Sequence, residues 1–433
     1  MERLGIDMEK RWILDCVLIG AITLFSTARA SIFDGELSSP SSVHSLLRGS
    51  KNLSLELGLE YSRSDLPTLH NIVVENTSTS TAVTGPVMGD VKAAYPDAFA
   101  QTLKLQAILS RESRFTVAAK TYLPLNGLSQ MDTGNVYQPE VVLYRAESQR
   151  PRILFTAGRD INSDWRVGLG VDVGFSVSAQ ANVFLQSGPG TVSDQRISAK
   201  VKPNVVPQAS LAFRQYQLTA RSENRADLEL TTNAGARIFS DVGAGIDFSY
   251  QAQSALYYQP WQLEFNAQNE LLPWLILKYG ISYELWSGYK SRAAVIKSNI
   301  PINCPKGSSN CSPQFSSGLA PAFKARNIWV PEVGVKFAIG ENSVEVDYQF
   351  KDSIFKDLPT GQGNYLDPPR HDLRLGFTYP TASGLEWKIH ATLSRLTAQN
   401  VVKSDPNAIG GPGYQMDGWL YGGGLSVAIP FEN

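Results

Sequence analysis

The residues with the widest chemical range in this 433-residue chain are four histidines (His44, His70, His371 and His390) and three cysteines. His371 and His390 lie on or beside segments that alternate apolar and polar residues, where a serine on a neighbouring strand would complete a Ser–His pair for ester hydrolysis. The competing reading is solvated or packed histidine. It is the better supported, because the chain has no Gly-x-Ser-x-Gly elbow and no His-Glu-x-x-His run. The glycine-rich stretch 410–415, "GGPGYQ", lacks a following Lys-Ser/Thr and reads as a flexible loop rather than a phosphate cradle. Cys304 and Cys311 sit in a polar Pro/Ser/Gly stretch. An even pair in an exported chain predicts a disulfide closing a short exposed loop. No histidine or acidic cluster adjoins them, so no metal is expected, and no cofactor motif is present.

Export itself is read from the N-terminus. Lys10 and Arg11 precede an apolar run from Trp12 to Phe25, and Ala28-Arg29-Ala30 offers a small-x-small cleavage site, so residues 1–30 predict a signal peptide starting at Met1 or Met8. A lipid anchor on Cys16 is the lesser reading, since Asp15 precedes it and the better cleavage site lies downstream. Net charge is −1 and no basic run occurs, which argues against nucleic acid as a partner. Mean hydropathy is −0.15, a soluble-looking average that a membrane barrel also gives, because each lipid-facing residue is balanced by a lumen-facing one.

The elements that would carry these residues are strands. "KNLSLELGLEYS" sets Leu53, Leu55, Leu57, Leu59 and Tyr61 on one side of an extended chain and Glu56 and Glu60 on the other. The same alternation recurs in 103–109, 115–123, 165–177, 275–285, 344–350 and 419–431, for roughly fourteen strands. Short connections at 111–114, 160–164, 214–217, 268–274, 340–342 and 380–384 alternate with long ones at 63–97, 124–149, 188–204, 233–245, 288–327, 352–370 and 397–417. That rhythm belongs to an up-and-down barrel with short periplasmic turns and long outer loops, not to a Greek-key sandwich. Tryptophans at strand ends, such as Trp165, Trp274, Trp329 and Trp419, fit aromatic girdles. Charges of both signs on the opposite faces, Lys104, Asp172, Lys278 and Asp347 among them, fit a wet lumen better than a closed core. The fold expected is all-β: a transmembrane antiparallel up-and-down barrel over residues 51–433, in the bacterial outer membrane, in contact with lipid and inserted by the barrel-assembly machinery.

"QPWQLEFNAQNELLPWLILKYGISYELWSGY" resembles the FadL/TodX family of hydrophobic-compound transporters, and "NSDWRVGLGVDVGF", "LTARSENRADLEL", "WVPEVGVKFAIGENSVEVDYQFKDS" and "PPRHDLRLGFTY" follow in the family's order. The resemblance implies a monomeric fourteen-stranded barrel, without cofactor or enzymatic activity. In it a long-chain fatty acid or aromatic hydrocarbon is captured between outer loops, passes to a lumen site and leaves sideways through the wall. Loops 188–204 and 288–327 are the expected capture surface. The resemblance also implies an N-terminal hatch over 31–50, whose Phe33, Leu37, Pro40, Val43, Leu46 and Leu47 would plug the lumen and line a ligand pocket; a loosely ordered N-terminus is the alternative. It places a substrate-carboxylate contact at Lys324 and Arg326, against ordinary rim charges, and the lateral gate on Phe115, Val117, Ala119 and Leu123. Two departures stand out: "SSPSS" occupies the place of the family's Asn-Pro-Ala, and Phe431 is followed by Glu432 and Asn433. A general diffusion porin for polar solutes and an outer-membrane esterase or lipase are the alternatives.

Overall fold

The structure is a computed structural model that describes residues 53–76, 86–92, 98–110, 115–125, 152–186, 194–237, 245–289, 297–299, 324–357, 367–407 and 410–431. In chain order its strands are β1 (Leu53–Asp65), β2 (Thr68–Asn76), β3 (Pro86–Lys92), β4 (Ala98–Ser110), β5 (Phe115–Pro124), β6 (Arg152–Asp160), β7 (Trp165–Gln186), β8 (Asp194–Phe213), β9 (Tyr216–Arg221), β10 (Asn224–Arg237), β11 (Gly245–Gln259), β12 (Gln262–Leu272), β13 (Leu275–Glu284), β14 (Lys297–Asn299), β15 (Ile328–Ile339), β16 (Asn342–Lys351), β17 (Arg370–Pro380), β18 (Glu386–Val402) and β19 (Gly413–Phe431).

Fourteen of them, β1, β4–β9, β12, β13 and β15–β19, close into one antiparallel barrel. Closure is made by β1, which pairs with β19 on one edge and β4 on the other, Leu59 facing both Leu425 and Gln101. No barrel edge is left to template another chain, and the backbone groups are satisfied without water. The remaining strands lie at one end, here the loop end: a β2–β3 hairpin, a β10–β11 hairpin and short β14 paired to β11. β10 leans over to pair in parallel with the far part of β7, Leu228 opposite Val177.

Because the side-chain period is two, register sets which residues face outward. Leu57 is 38% exposed, Leu59 48% and its partner Leu425 45%, whereas Gly58, between Leu57 and Leu59 in sequence, is buried. The outward band continues through Phe155, Leu169, Leu218, Leu263 and Ile281, all exposed. It is bounded by aromatic pairs: Trp165–Phe213 (4.6 Å) and Trp274–Phe337 (6.3 Å) at the turn end, Tyr283–Trp329 (4.4 Å) at the loop end. A continuous apolar exterior of this kind has no stable contact with water and suits hydrocarbon.

Several expected loops hold strand: β2 and β3 lie within 63–97, β14 lies within 288–327, and part of 188–204 extends β8. Residues 194–204, read from sequence as part of the outer loop 188–204, continue β8 and pair with β7 as far as Phe184↔Asp194. Proline is tolerated because Pro207 directs its backbone toward β9, accepting a hydrogen bond from Ser222 N–H (3.1 Å), so the β7 ladder loses no donor.

Candidate functional site: a graded lumen

The inner wall changes character with height. On β18 the inward residues run Glu386, Lys388, His390, Thr392, Ser394 and Leu396 from the turn end to the loop end, opposite Ala428, Ser426, Gly424, Gly422, Leu420 and Gly418 of β19, with Met416 one step further toward the loop end. Near the turn end the wall is a charged floor. Lys388 Nζ meets Glu56 Oε2 at 2.9 Å, Ser426 Oγ donates to Glu56 Oε1 at 2.9 Å, and Lys278 bridges Glu345 and Asp347 on β16. Glu56, Lys388, Glu345 and Asp347 line a cavity of about 150 Å³, with Lys104, Lys120, Arg374 and His390 on its walls. Glycines make room for them. His390 lies across Gly424, where a Cβ would stand 2.4 Å from the ring, and Asp347 lies across Gly334 in the same way.

On the opposite wall Asp172 of β7 is held between Arg152 of β6 and Arg221 of β9, all three sealed from solvent. Arg221 Nη2 donates to Asp172 Oδ2 at 2.7 Å, and Arg152 donates through both Nε (3.3 Å) and Nη2. Two guanidinium groups on one carboxylate are enthalpically strong but costly to desolvate, so removing the carboxylate would leave two buried charges.

Toward the loop end the inward side chains of β18 and β19 are apolar. Leu396 and Val401 of β18 and Tyr414, Met416 and Leu420 of β19 form a cluster closed by Leu66, Leu69 and Ile72, because the β2–β3 hairpin folds over the mouth. The glycine-rich 410–413 stretch, read from sequence as a flexible loop, anchors that hairpin: Val73 N–H donates to Gly411 O (2.9 Å) and Gly410 N–H to Val73 O (2.8 Å). A second cluster joins Trp286 and Tyr289 to Ile328, Val330, Ile354 and Phe355, and a third joins Ala100, Ala118, Tyr122 and Leu154. Beside the second cluster, Asp367 accepts the Ile354 N–H (2.6 Å). Burial pushes its carboxyl up to about 6, against the pull of that bond and of Lys351 and Arg370 and reinforced by Glu284.

The residues expected from sequence divide as follows. Arg326 is clasped at the loop end by its own chain, with Nη2 to Asp352 Oδ2 at 2.6 Å and Nε to Ser353 O at 3.0 Å, while Lys324 is exposed. Phe115, Val117 and Ala119 are half-buried and Leu123 exposed, all on the outward face of β5. That strand is paired with β6 throughout Phe115–Tyr122 and with β4 along its length apart from a register shift at Ile108/Ser110. His371 faces outward against Tyr348 (Nδ1 to OH, 2.7 Å), and His390 faces inward, so the two share no site. The hatch residues 31–50, Cys304 and Cys311 lie outside the described residues. Sequence reasoning missed the Arg152–Asp172–Arg221 brace and the apolar roof. Their signal was available only as inward parity on strands whose pairing was not yet known.

No protein-family model matches the chain, and no curated protein matches it either. Among solved structures it is similar to a Pseudomonas aeruginosa FadL homologue (TM-score 0.54, 14% identity, covering 94% of this chain and 97% of that one). It is also similar to the toluene transporter TodX of P. putida (TM-score 0.51, 13% identity, covering 94% and 96%). At such identities the likeness is one of fold: this chain has the barrel of FadL and TodX over nearly its whole length.

Proposed function

We propose that this barrel resides in the bacterial outer membrane and admits hydrophobic small molecules passively, through the roofed outer half of its lumen and then sideways into lipid. The observation that carries the proposal is the inward-facing apolar roof, Leu396, Met416 and Leu420 under the β2–β3 hairpin. A diffusion pore for sugars or ions gains nothing from apolar side chains pointing into its channel, whereas an apolar solute leaving water does. Beneath the roof, the charged floor gives an apolar molecule no favourable path to the periplasm. Lateral exit follows from that asymmetry, and β5, where the resemblance puts the gate, is the proposed place. The likeness of fold to a toluene transporter supports the reading. The hatch over 31–50 and the Cys304–Cys311 loop are proposed as parts of the same uptake route.

Two measurements test it. Reconstituted in planar bilayers, the full chain should carry little steady ion current, and in cells it should speed uptake of toluene or oleate; free passage of sugars with no binding of either would refute the proposal. Val117→Cys with Ala157→Cys, an opposed pair across β5 and β6, staples the proposed gate. Oxidation should stop uptake and leave binding intact, and unimpeded uptake would move the exit elsewhere.

A further inference from the structure

Between charged floor and apolar roof lies a belt of hydroxyls. Thr392 and Ser394 follow His390 on the inner face of β18, and Ser62 and Ser64 stand at the same heights on β1; on β19 between them, Gly422 separates Thr392 from Ser62 without a side chain and Leu420 separates Ser394 from Ser64. Ser394 is fully buried and Thr392 nearly so, and among the described residues no group hydrogen-bonds Thr392 Oγ1, Ser394 Oγ or Ser64 Oγ. Folding has thus spent buried hydroxyls on a wall where alanine or valine would fit.

Their neighbours narrow what they could meet. The cation beside them, Arg370, is already paired to Asp372 (2.8 Å), and Asp372 is the cross-strand partner of Ser394, so a carboxylate here would face a carboxylate. A pure hydrocarbon would leave every hydroxyl unsatisfied. A neutral oxygen on an apolar body satisfies both: its oxygen exchanges hydrogen bonds with the belt, and its chain lies against Leu420 at the height of Ser394 and against Leu396 and Met416 above it. We propose that the Thr392–Ser394–Ser64 belt is a recognition site for uncharged oxygenated apolar compounds, alcohols and their ketone or ester counterparts, within the lumen. The inference rests on the uptake reading above and specifies its substrate class.

The test uses the full chain in amphipol at pH 7.5, titrated calorimetrically with octan-1-ol, octanoate and toluene. The wild type should bind octan-1-ol more tightly than octanoate. The Thr392→Val/Ser394→Ala double variant should lose about tenfold in octan-1-ol affinity, the scale of one or two neutral hydrogen bonds, with toluene affinity unchanged. Thr392→Ser, which keeps the hydroxyl, should bind octan-1-ol as the wild type does, and the heat-dependent gel shift of each variant reports that its barrel is closed. Preference for octanoate, or an unchanged octan-1-ol affinity in a closed double variant, overturns the inference while leaving the uptake reading standing. Binding of none of the three overturns both.

Discussion

The two faces of β18 differ in kind. Outward, Trp387, Ile389, Ala391 and Leu393 are apolar over the turn-end stretch; inward, Glu386 to Leu396 pass from charge through hydroxyl to hydrocarbon in six residues. One chain segment with one backbone geometry therefore meets two solvents. The outer face meets a single medium, so its composition is uniform with height. The inner face meets ion pairs, cavity and folded-in hairpin in turn, so its composition is graded, and the gradient is where function can reside.

The largest effect should come where the inner face is sealed. Asp172→Ala strands Arg152 and Arg221 without their carboxylate, and urea unfolding of the refolded barrel should show a loss of about 3–5 kcal/mol. A loss far below that would mean the brace is wet, and the inner face less closed than its burial implies. On the outer face, Leu59→Lys should cost about 2–4 kcal/mol if the residue sits near the bilayer midplane, read as a reduced folded fraction in lipid vesicles. The adjoining Glu60→Lys, on the lumen side, should cost much less; equal losses would erase the distinction between the faces.

Asp367 gives a subtler effect with a definite sign. Its folded carboxyl sits at about 6, above the usual 3.8, so the folded state favours the proton. The stabilisation is fully present below pH 3.8 and is lost as pH rises through about 6. Wild type minus Asp367→Asn should therefore become less favourable between pH 5 and pH 7, and a difference flat with pH would show that the carboxyl is hydrated. Smallest of all should be His70→Ala. The His70–Asp90 pair (2.9 Å) is exposed on the β2–β3 hairpin, and its loss should leave the unfolding midpoint unmoved.

Much of this was legible residue by residue. Leu53 to Tyr61 announce both faces of β1, and the Trp165 and Trp274 strand ends announce the girdles, because lipid imposes the same period on every strand. Residues 194–204 read as outer loop, yet they pair with β7 as far as Asp194, a long-range pairing that no local pattern announces. Arg326, which the resemblance offers as a carboxylate contact, pairs with Asp352, 26 residues on, a partner that no local pattern indicates.

The sequence by itself determined that the chain alternates, how often it turns, and which residues share a face, because those follow from local periodicity. Only the tertiary structure decided which inward residues meet at one height. Arg152, Asp172 and Arg221 come from three strands, as do Leu69, Leu396 and Leu420. Their meeting depends on barrel register and on a hairpin folding inward, both set by long-range pairing that no local pattern encodes.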